Sequence, residues 1–377
     1  MKNTNNHIWL RTETKAFERR TPLTPADAAK LLAQGTRVTV ESSEDRVYSD
    51  DQFSQVGCEI AQAGDWRKAP KECFILGLKE LPSESFELSH KHIYFAHAYK
   101  KQLGWEALLS RFNHGGGTLL DLEFLVDDSS RRVAAFGHWA GFAGAALAVD
   151  IWAHQMAAPE LEFPPVHSVT DQSELVSAIS RRLNEAISVT NSLPKVMVLG
   201  AKGRSGRGAL DLLAKLGFKD SISQWDLAET RKGGPFPEIL EHDILVNCVL
   251  VQGLMAPFLT PSMIAGNRKL SVISDVSCDP NSPHNPLPIY ESTTSFQNPS
   301  VRLRHANEFA NALDLTAIDH LPSLLPNESS DDFSAQLVPH LEALGSGSAV
   351  WSRAETLFLS KLREVPPERD SFAQVSL

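Results

Sequence analysis

The sequence predicts an α/β protein with two domains, each built on a parallel-sheet core, and an active-site cleft between the domains. A chain of 377 residues is too long for one typical hydrophobic core, so two domains are the natural expectation. Short apolar runs that end in charged or ionisable residues recur along it, which is typical of parallel strands with a site at their carboxyl edge. Residues 195–216 add a third observation, a strand followed by a glycine-rich turn and a helix.

The glycine-rich turn begins where the apolar run Val196–Leu199 ends. Gly200, Gly203 and Gly206 follow at three-residue steps, and an amphipathic helical pattern starts at Ala209. Glycine lets the backbone approach phosphate groups, and the N–H groups of a helix N-terminus can bind a pyrophosphate. The spacing G-x-x-G-x-x-G differs from the commonest dinucleotide fingerprint, G-x-G-x-x-G. In this context it predicts a Rossmann-like domain that binds a dinucleotide.

An acidic residue follows these glycines at the expected distance. Ser221–Asp226 is predicted as the second strand of the domain, and Asp226 at its end can bind the ribose hydroxyls of NAD. Its carboxylate would repel the extra phosphate of NADP, although Arg231 nearby leaves that choice open. The alternative is a structural turn in which Asp226 caps the next helix. The order of strand, glycines, helix and acid favours the cofactor.

The remaining patterns distribute the chain over two domains. Strand-like runs precede the glycine turn at 7–11, 37–41, 57–60, 73–78 and 92–97. Later parallel strands of the dinucleotide domain are predicted at 243–249 and 270–275, and the helical patterns beyond residue 333 are expected to return to the first domain. We therefore expect a discontinuous substrate and catalytic domain of residues 1–136 plus about 325–377, and an NAD-binding Rossmann domain of residues 137–324.

Composition argues against several classes of protein. A net charge of −10 disfavours a general nucleic-acid surface. The four cysteines are widely spaced and form no C-x-x-C pair, so neither a metal site nor a disulfide framework is indicated, and a reducing, cytoplasmic compartment is expected. The polar start of the chain is unlike a signal peptide. The apolar run Trp139–Trp152 is short, rich in glycine and alanine and interrupted by Asp150, which predicts a buried helix and not a membrane span.

A dinucleotide site needs groups that move protons beside the reacting carbon. Lys79 and His97 each follow an apolar strand, where side chains of a parallel sheet can converge. A partly desolvated lysine has a lowered pKa and a histidine titrates near neutrality, so either can exchange protons. Spacing alone favours plainer interpretations, a solvated strand end for Lys79 and a structural histidine for His97.

Other charged residues are candidates for binding or tuning. Arg20, Arg131 and Arg132 can clamp a carboxylate, because a guanidinium donates two parallel hydrogen bonds to it. Taken singly, each also fits a surface ion pair. Glu80 and Glu123 can tune the pKa of neighbouring cations or can simply be exposed.

Longer strings of residues resemble a known family. Arg11–Lys15, with Glu18–Arg20 and Leu23–Pro25, resembles the amino-terminal signature of the alanine dehydrogenase and transhydrogenase superfamily. Further strings narrow the resemblance to the NAD-dependent, L-lysine-forming saccharopine dehydrogenase family, from about Arg11 to the C-terminal helices. These strings are Gly77–Glu80, Phe95–His97, Gly117–Phe124, Arg131–Gly137, Ala140–Leu147, Gly233–Phe236, Asp275–Asp279, His284–Pro286 and Ile318–Pro326.

The resemblance implies an oxidoreductase of lysine biosynthesis and amino-acid metabolism that reversibly deaminates saccharopine with NAD. A hydride leaves the glutamyl α-carbon for NAD, the imine is hydrated, and the carbinolamine collapses to L-lysine and 2-oxoglutarate. By the same resemblance Lys79 takes the proton of the secondary amine, His97 serves hydration and collapse, and Glu123 modulates both bases. It also implies a monomer whose partners are these small molecules, with no nucleic-acid or membrane partner.

The resemblance assigns binding residues as well. Positions that match substrate contacts are Arg20, Lys79, Gln102, Arg132, Phe136, Ser277, Cys278 and Asp279. Positions that match cofactor contacts are Arg131, Gly200, Gly203, Arg204, Ser205, Gly206, Asp226, Thr230, Leu250, Val276, Ile318, Asp319, His320 and Leu321.

Three departures from the family pattern concern the site. Ser205 stands where some members carry a cysteine that can pair with the one matching Cys248, and Leu250 replaces an aromatic residue beside the cofactor. Arg304–Glu308 differs from the usual loop, which leaves substrate preference open. Two alternatives therefore remain, a related opine or amino-acid dehydrogenase with another amine or oxo acid, and a catalytically silent NAD-binding homologue. The intact set of candidate catalytic residues argues against the second.

Overall fold

The computed structural model of the protein describes residues 6–366 except 250, 252, 254, 279, 281, 283, 308 and 309. The chain divides into two units. The first unit comprises the residues up to Ala135 and those from Ser330 onward, and the second runs from Phe136 to Ser329. The C-terminal helices therefore belong to the same unit as the N-terminal sheet.

The described part of the first unit is built on a parallel sheet with the strand order β3-β2-β1-β4-β5-β6. Its strands are β1 (His7–Leu10), β2 (Arg37–Glu41), β3 (Glu59–Ala61), β4 (Phe74–Leu76), β5 (Lys91–Tyr94) and β6 (Thr118–Asp121). Chain order reverses between β1 and β4, and ligands of such sheets bind at the carboxyl ends of the strands beside that switch point. Residues 11–13 follow β1 and residues 77–79 follow β4, so both segments lie at this point.

Helices cover the sheet of the first unit. They are α1 (Pro25–Ala33), α2 (Asp50–Gln55), α3 (Trp105–Gly115), α10 (Ala349–Leu362) and α9 (Pro326–Leu341), which begins in the second unit. The predicted start of α1 is confirmed, because the Thr24 hydroxyl accepts a hydrogen bond from the Asp27 N–H at 3.3 Å and Pro25 is the first helical residue. Leu109 and Phe112 of α3 pack into a core that also holds Phe358 of α10.

The sheet of the second unit is mostly parallel. Its strand order is β11-β12-β10-β9-β7-β8, with only the β11–β12 pair antiparallel among the described strands. The strands are β7 (Val196–Leu199), β8 (Ile222–Trp225), β9 (Ile244–Asn247), β10 (Val272–Asp275), β11 (Val301–Arg304) and β12 (Leu313–Thr316). The helices are α4 (Gly137–Ala157), α5 (Gln172–Thr190), α6 (Arg204–Lys215), α7 (Leu227–Thr230) and α8 (Pro261–Ala265). Here the switch point lies between β7 and β9, and the glycine turn follows β7 directly.

Glycines bring α4 and α6 into close contact. A Cβ added to Gly141 would lie 1.7 Å from the Ser205 carbonyl oxygen, and one added to Gly208 would lie 1.8 Å from that of His138. Because glycine has no Cβ, only glycine at these two positions allows the backbones of α4 and α6 to come so close. The middle of α4 is accordingly buried from Gly141 to Ala153. None of the helices in the described ranges is long and apolar enough to cross a membrane.

The predicted fold class, two α/β units with parallel-sheet cores, is confirmed, and several elements were missed. The sequence patterns did not indicate β6, β11, β12 or the short helices α2, α7 and α8. Strand β12 contains Asp314, which breaks the apolar pattern expected of a buried strand. Tertiary structure makes this residue acceptable, because Arg302 donates two hydrogen bonds to its carboxylate at 2.7 and 3.0 Å.

Candidate functional site

Lys79 lies in the loop after β4 and not at the end of the strand, which stops at Leu76. The side chain is half-buried. Burial lowers the pKa of Lys79 below its ordinary value, and the positive charges of Arg20 and Lys15 lower it further. An amine of this kind can accept and return a proton under mild conditions. The plain interpretation of Lys79 as a solvated strand end does not fit this environment.

Arg20 is buried and bound to a carboxylate of its own chain. Its Nε and Nη2 donate to Glu18 Oε1 and Oε2 at 2.8 and 2.6 Å, and both side chains are nearly inaccessible to solvent. Burial favours the neutral acid, but the charge of Arg20 and its hydrogen bonds outweigh burial and lower the pKa of Glu18. Arg20 is thus neither a surface ion pair nor an unengaged clamp. One edge of its guanidinium is already used by Glu18.

His97 lies between two carboxylates. The residue has a left-handed backbone with φ of 53°, a conformation that is uncommon outside glycine and that recurs at functional sites. Its Nε2 lies 3.5 Å from Glu80 Oε1, and its Nδ1 lies 3.5 Å from Glu123 Oε2. These carboxylates hold the orientation of the imidazole ring.

Glu123 is held as a carboxylate by cations around it. Lys100 Nζ lies 2.6 Å from Glu123 Oε1, and Arg132 Nη2 lies 4.0 Å from the same atom. Burial favours the neutral acid, but contacts with His97 and Lys100 outweigh it and lower the pKa of Glu123 to about 2. The neighbouring Asp121 accepts the Glu123 N–H at 2.9 Å, and burial raises its pKa to about 6.

A cavity of about 270 Å³ opens beside His97 within the first unit. Gln102, predicted to bind substrate, lines it together with Glu80 and Arg111. Trp105 and Leu108 of α3 add apolar surface. The cavity therefore combines both charges with an apolar wall, as expected of a site for a small amino acid or amine.

The two arginines after β6 differ in position. Arg132 lies near Glu123, as described above, and is therefore among the candidate catalytic groups. Arg131 is exposed and pairs with Asp127 at 3.2 Å, which is the surface ion pair that the sequence left open. Its match to a cofactor contact stays a prediction.

The conformation of Gly200 and the packing of Gly206 shape the glycine turn of the second unit. Gly200 has φ of 75°, a left-handed conformation suited to glycine. A Cβ added to Gly206 would lie 2.1 Å from the Gly200 carbonyl oxygen, whereas one added to Gly203 would meet nothing closer than 3.3 Å. Gly206 is thus required by the packing of the turn. Gly203 is exposed at the N-terminus of α6, ahead of Arg204 and Ser205, where its missing side chain leaves room for a ligand.

Asp226 caps the next helix, as one interpretation of the sequence expected, and its contact with the ribose of NAD stays a prediction. It caps α7 through a hydrogen bond from the Leu227 N–H at 2.8 Å, and it reaches the glycine turn by accepting the Lys202 N–H at 2.7 Å. These two hydrogen bonds lower the pKa of Asp226. Thr230 is engaged in the same cap, since its hydroxyl donates to the Asp226 carbonyl oxygen at 2.9 Å. A charged acid therefore stands next to the predicted phosphate loop.

The segment after β10 is organised by a buried acid. Asp275 accepts hydrogen bonds from the Ser277 hydroxyl at 2.7 Å and from the Tyr290 hydroxyl at 2.7 Å. Asn247 at the end of β9 donates to both Asp275 and Ser277, at 3.0 and 3.1 Å. The Cys278 thiol donates to the Ala317 carbonyl oxygen at 3.0 Å. Val276, Ser277 and Cys278 are thus held at the carboxyl edge of the sheet.

The remaining predicted residues lie at element ends of the second unit. Phe136 directly precedes α4. Ile318 and Leu321 are buried, and His320 Nδ1 lies 2.5 Å from Asp319 Oδ1. Leu250 and Asp279 fall outside the described residues. In the described ranges no three His, Cys, Asp or Glu side chains are grouped to hold a metal ion, and none of the four cysteines forms a disulfide.

Sequence reasoning missed two residues that support Lys79. Glu13 accepts the N–H groups of Leu78 and Lys79 at 2.6 and 2.9 Å, and Arg11 donates to the Lys79 carbonyl oxygen. Both stand in the string that suggested the family, and both follow β1 at the switch point. That position was the available signal, but it requires knowing that β1 and β4 are neighbours.

Comparison with known proteins finds a matching family model and similar proteins along nearly the whole chain. The family described as alanine dehydrogenase/PNT, N-terminal domain, matches residues 9–143. Saccharopine dehydrogenase (NAD(+), L-lysine-forming) of Schizosaccharomyces pombe is 45% identical over 95% of this chain and 99% of its own length. The protein of the same name from Emericella nidulans is 47% identical over 96% of this chain and 99% of its own length.

Solved structures share the fold at low identity. An L-alanine dehydrogenase matches with a TM-score of 0.63 and 16% identity, over 94% of this chain and 93% of its own. A transhydrogenase from Sinorhizobium meliloti matches with a TM-score of 0.59 and 17% identity, over 90% and 94% of the two chains. At these identities the likeness concerns the fold alone.

Proposed function

The chain belongs to the family of NAD-dependent, L-lysine-forming saccharopine dehydrogenases, and we propose that it converts saccharopine and NAD to L-lysine, 2-oxoglutarate and NADH. It is an NAD-dependent oxidoreductase. The observation that best supports the substrate chemistry is Lys79, a half-buried amine with a lowered pKa at the carboxyl edge of the first sheet. The active-site cleft predicted between the domains stays a prediction.

The second unit is proposed to hold NAD. When bound, NAD supplies the acceptor for the hydride of the substrate. The glycine turn and the N-terminus of α6 would face the pyrophosphate, with Gly203 leaving space for it. Asp226 would accept hydrogen bonds from the ribose hydroxyls and disfavour the phosphate of NADP. Val276 and residues 318–321 are proposed as further contacts with NAD.

The first unit is proposed to move protons. A secondary amine must be neutral before its neighbouring carbon can lose a hydride, and Lys79 would take the proton at Nζ. The imine that results needs water, and His97 would remove a proton from that water and later return one to the departing lysine amine. Glu80 and Glu123 support the second role, because each lies 3.5 Å from a ring nitrogen of His97.

Substrate is proposed to enter the cavity beside His97. Its charged lining suits the α-amino and α-carboxyl groups of lysine, and its apolar wall suits the methylene chain. Gln102 would contact the substrate there. Arg132 would bind a carboxylate, and Arg20 would act as a binding residue together with its partner Glu18. Phe136, Ser277 and Cys278 are carried forward as predicted substrate contacts.

The proposal also covers the cellular compartment, the partners and the oligomeric state of the enzyme. Four widely spaced cysteines suit a reducing compartment, and we propose the cytoplasm. The partners proposed are the small-molecule substrates, with a monomer as the functional form. The reaction is reversible, so lysine synthesis and lysine breakdown are both open to it.

The test is NADH oxidation by the purified protein with 2-oxoglutarate and different amines. We expect turnover with lysine, saccharopine as the product, and none with ornithine, alanine or no amine. Turnover with another amine in place of lysine would replace the substrate and retain an opine or amino-acid dehydrogenase. Binding of NADH without turnover of any amine would contradict the proposal and favour a silent homologue.

A further inference from the structure

Each backbone polar group of residues 78 and 79 forms a hydrogen bond with a residue that follows strand β1 or strand β5. The Leu78 N–H donates to Glu13 Oε1 at 2.6 Å and the Lys79 N–H to Glu13 Oε2 at 2.9 Å. The Leu78 carbonyl accepts the Phe95 N–H at 3.1 Å, and the Lys79 carbonyl accepts Arg11 Nη2. Loops at a sheet edge are otherwise among the more mobile parts of a fold.

The two side chains that do this are themselves fixed. Arg11 and Glu13 pair at 3.4 Å, and their side chains are only 1% and 8% exposed. Arg11 also donates to the Thr12 carbonyl oxygen at 3.2 Å and lies over the ring of Tyr94 at 5.6 Å. A charged pair buried so completely is costly to remove in part, since the remaining charge would lose its partner.

Gly77 provides the space for this arrangement. A Cβ added there would lie 2.3 Å from Arg11 Nε, so only glycine at this position allows the guanidinium to pass behind the loop. The backbone of Gly77 needs no special conformation, since its φ is not in the left-handed region. The requirement for glycine at this position therefore comes from Arg11.

We propose that Arg11 and Glu13 are positioning residues for catalysis, forming a backbone clamp that holds Lys79 Nζ at the point of proton transfer. The clamp consists of Arg11, Glu13 and the peptide groups of Leu78 and Lys79. The clamp holds the main chain of Lys79, so the side-chain amine stays available to the substrate. The inference rests on the proposed role of Lys79. A displacement of about 1 Å at a catalytic group can lower a rate by about 100-fold.

The clamp also determines the surroundings that set the charge of Lys79. The charged groups acting on it are Arg20 and Lys15, which oppose its protonation, and Glu18 and Glu80, which favour it. Release of the loop would move the amine toward solvent and raise its pKa toward the ordinary value. Oxidation of the secondary amine needs neutral Lys79, so the rise of the rate with pH would then occur at higher pH.

The first experiment follows the reactivity of Lys79 and needs no turnover. Trace acetylation at increasing pH, quantified by mass spectrometry, gives the apparent pKa of each lysine, with exposed Lys68 as internal reference. We expect the apparent pKa of Lys79 to rise in Glu13→Gln, with that of Lys68 unchanged. Gly77→Ala displaces the Arg11 guanidinium while leaving both charged side chains in the sequence, and it should raise the apparent pKa of Lys79 as well, which keeps the test informative should Glu13→Gln fold poorly.

A matched control removes the same kind of bond elsewhere. Asp171 accepts the N–H groups of Ser173 and Glu174 through one oxygen, at 2.7 and 3.0 Å, in the second unit. Asp171→Ala should lower thermal stability without changing the labelling of Lys79. The clamp would be overturned if the apparent pKa of Lys79 were unchanged in folded Glu13→Gln and Gly77→Ala. It would also be overturned if Asp171→Ala changed that pKa by the same amount.

The second experiment is a double-mutant cycle on turnover. Glu13→Gln should lower kcat about 10- to 100-fold and shift the rise of the pH–rate profile to higher pH. In a Lys79→Met background it should lower kcat no further, whereas in a His97→Gln background it should act in full. An equal loss in both backgrounds would overturn a role through Lys79. A wild-type protein that does not turn over saccharopine refutes the proposed function, while the labelling experiment still tests the clamp.

Discussion

The switch points of the two sheets carry opposite kinds of residue. In the first unit the edge after β1 and β4 is crowded with buried charge, including the ion pairs of Arg11 with Glu13 and of Arg20 with Glu18. In the second unit the turn after β7 contains Gly200, Gly203 and Gly206, and Asp226 accepts a hydrogen bond from the Lys202 N–H of that turn. Binding a phosphate needs N–H groups and open space, whereas moving a proton needs a side chain whose pKa is set by its neighbours. The same topology thus serves two chemistries.

The largest effect is expected from substitutions that remove a candidate proton-transfer group of the first unit and leave the second unit intact. Lys79→Met should lower kcat about 10²- to 10⁴-fold, while the Kd for NAD measured by fluorescence titration stays nearly unchanged. His97→Gln should behave in the same way with a smaller loss. The control is Lys71→Met, at an exposed lysine eight residues earlier in the chain, which should retain the wild-type rate. Wild-type turnover in both site variants would refute their assignment.

The next comparison separates folding from binding within the glycine turn. Gly206→Ala places a methyl group against backbone that cannot move aside, so the free energy of unfolding should fall by about 1–3 kcal/mol. Gly203→Ala meets the same backbone oxygen only at 3.3 Å, so its melting temperature should fall much less than that of Gly206→Ala while its Kd for NAD rises. Equal melting temperatures for the two variants, or unaltered NAD binding by Gly203→Ala, would contradict the distinction.

A smaller effect concerns the acid beside the phosphate loop. Asp226→Ala should weaken NAD about tenfold and narrow the gap between NAD and NADP, and it should also lose about 1 kcal/mol of helix capping. Asp226→Asn keeps one oxygen that can cap α7, but it removes the charge and the second acceptor that the Lys202 N–H uses, so it should relax cofactor choice with a smaller loss of stability than Asp226→Ala. Cofactor kinetics are the measurement. Unchanged discrimination in both variants would place the selective acid elsewhere.

The last comparison concerns a pH dependence of stability that is expected of the charged edge. Burial raises the pKa of Asp121 to about 6, against about 4 in an unfolded chain. Its ionisation therefore destabilises the folded protein, a penalty that is absent at low pH and grows as pH rises from about 4 to about 6. Urea unfolding of Asp121→Asn should show a stability advantage over wild type that grows across this range by about 1–3 kcal/mol. A difference that is constant with pH would contradict this assignment.

The candidate cofactor residues were easier to predict from the sequence than the candidate catalytic residues. Gly200, Gly203, Gly206 and Asp226 are close in sequence, and the structure brings Asp226 to the turn through Lys202. The candidate catalytic residues were harder to predict, because Lys79 and His97 follow different strands and each, taken alone, has a plain structural interpretation. Family resemblance selected them, and tertiary structure supplied their environment. The carboxylates of Glu80 and Glu123 meet at His97 only because β4, β5 and β6 are adjacent.

The sequence by itself determined the α/β class, the strand, glycine turn and helix, and the buried nature of α4, because these depend on local periodicity and on residues near one another in the chain. Only tertiary structure decided that Arg20 is engaged by Glu18 and that Arg131 is a surface ion pair. It also decided that Glu13 holds the backbone of Lys79, 66 residues away in the chain. The first two pairs are two and four residues apart in the chain, so burial and local geometry decide them, whereas the Glu13 contact depends on strand order, and a single sequence shows neither burial nor strand order. Hydrophobic periodicity specifies which face of a strand is buried, but not which strand lies beside it.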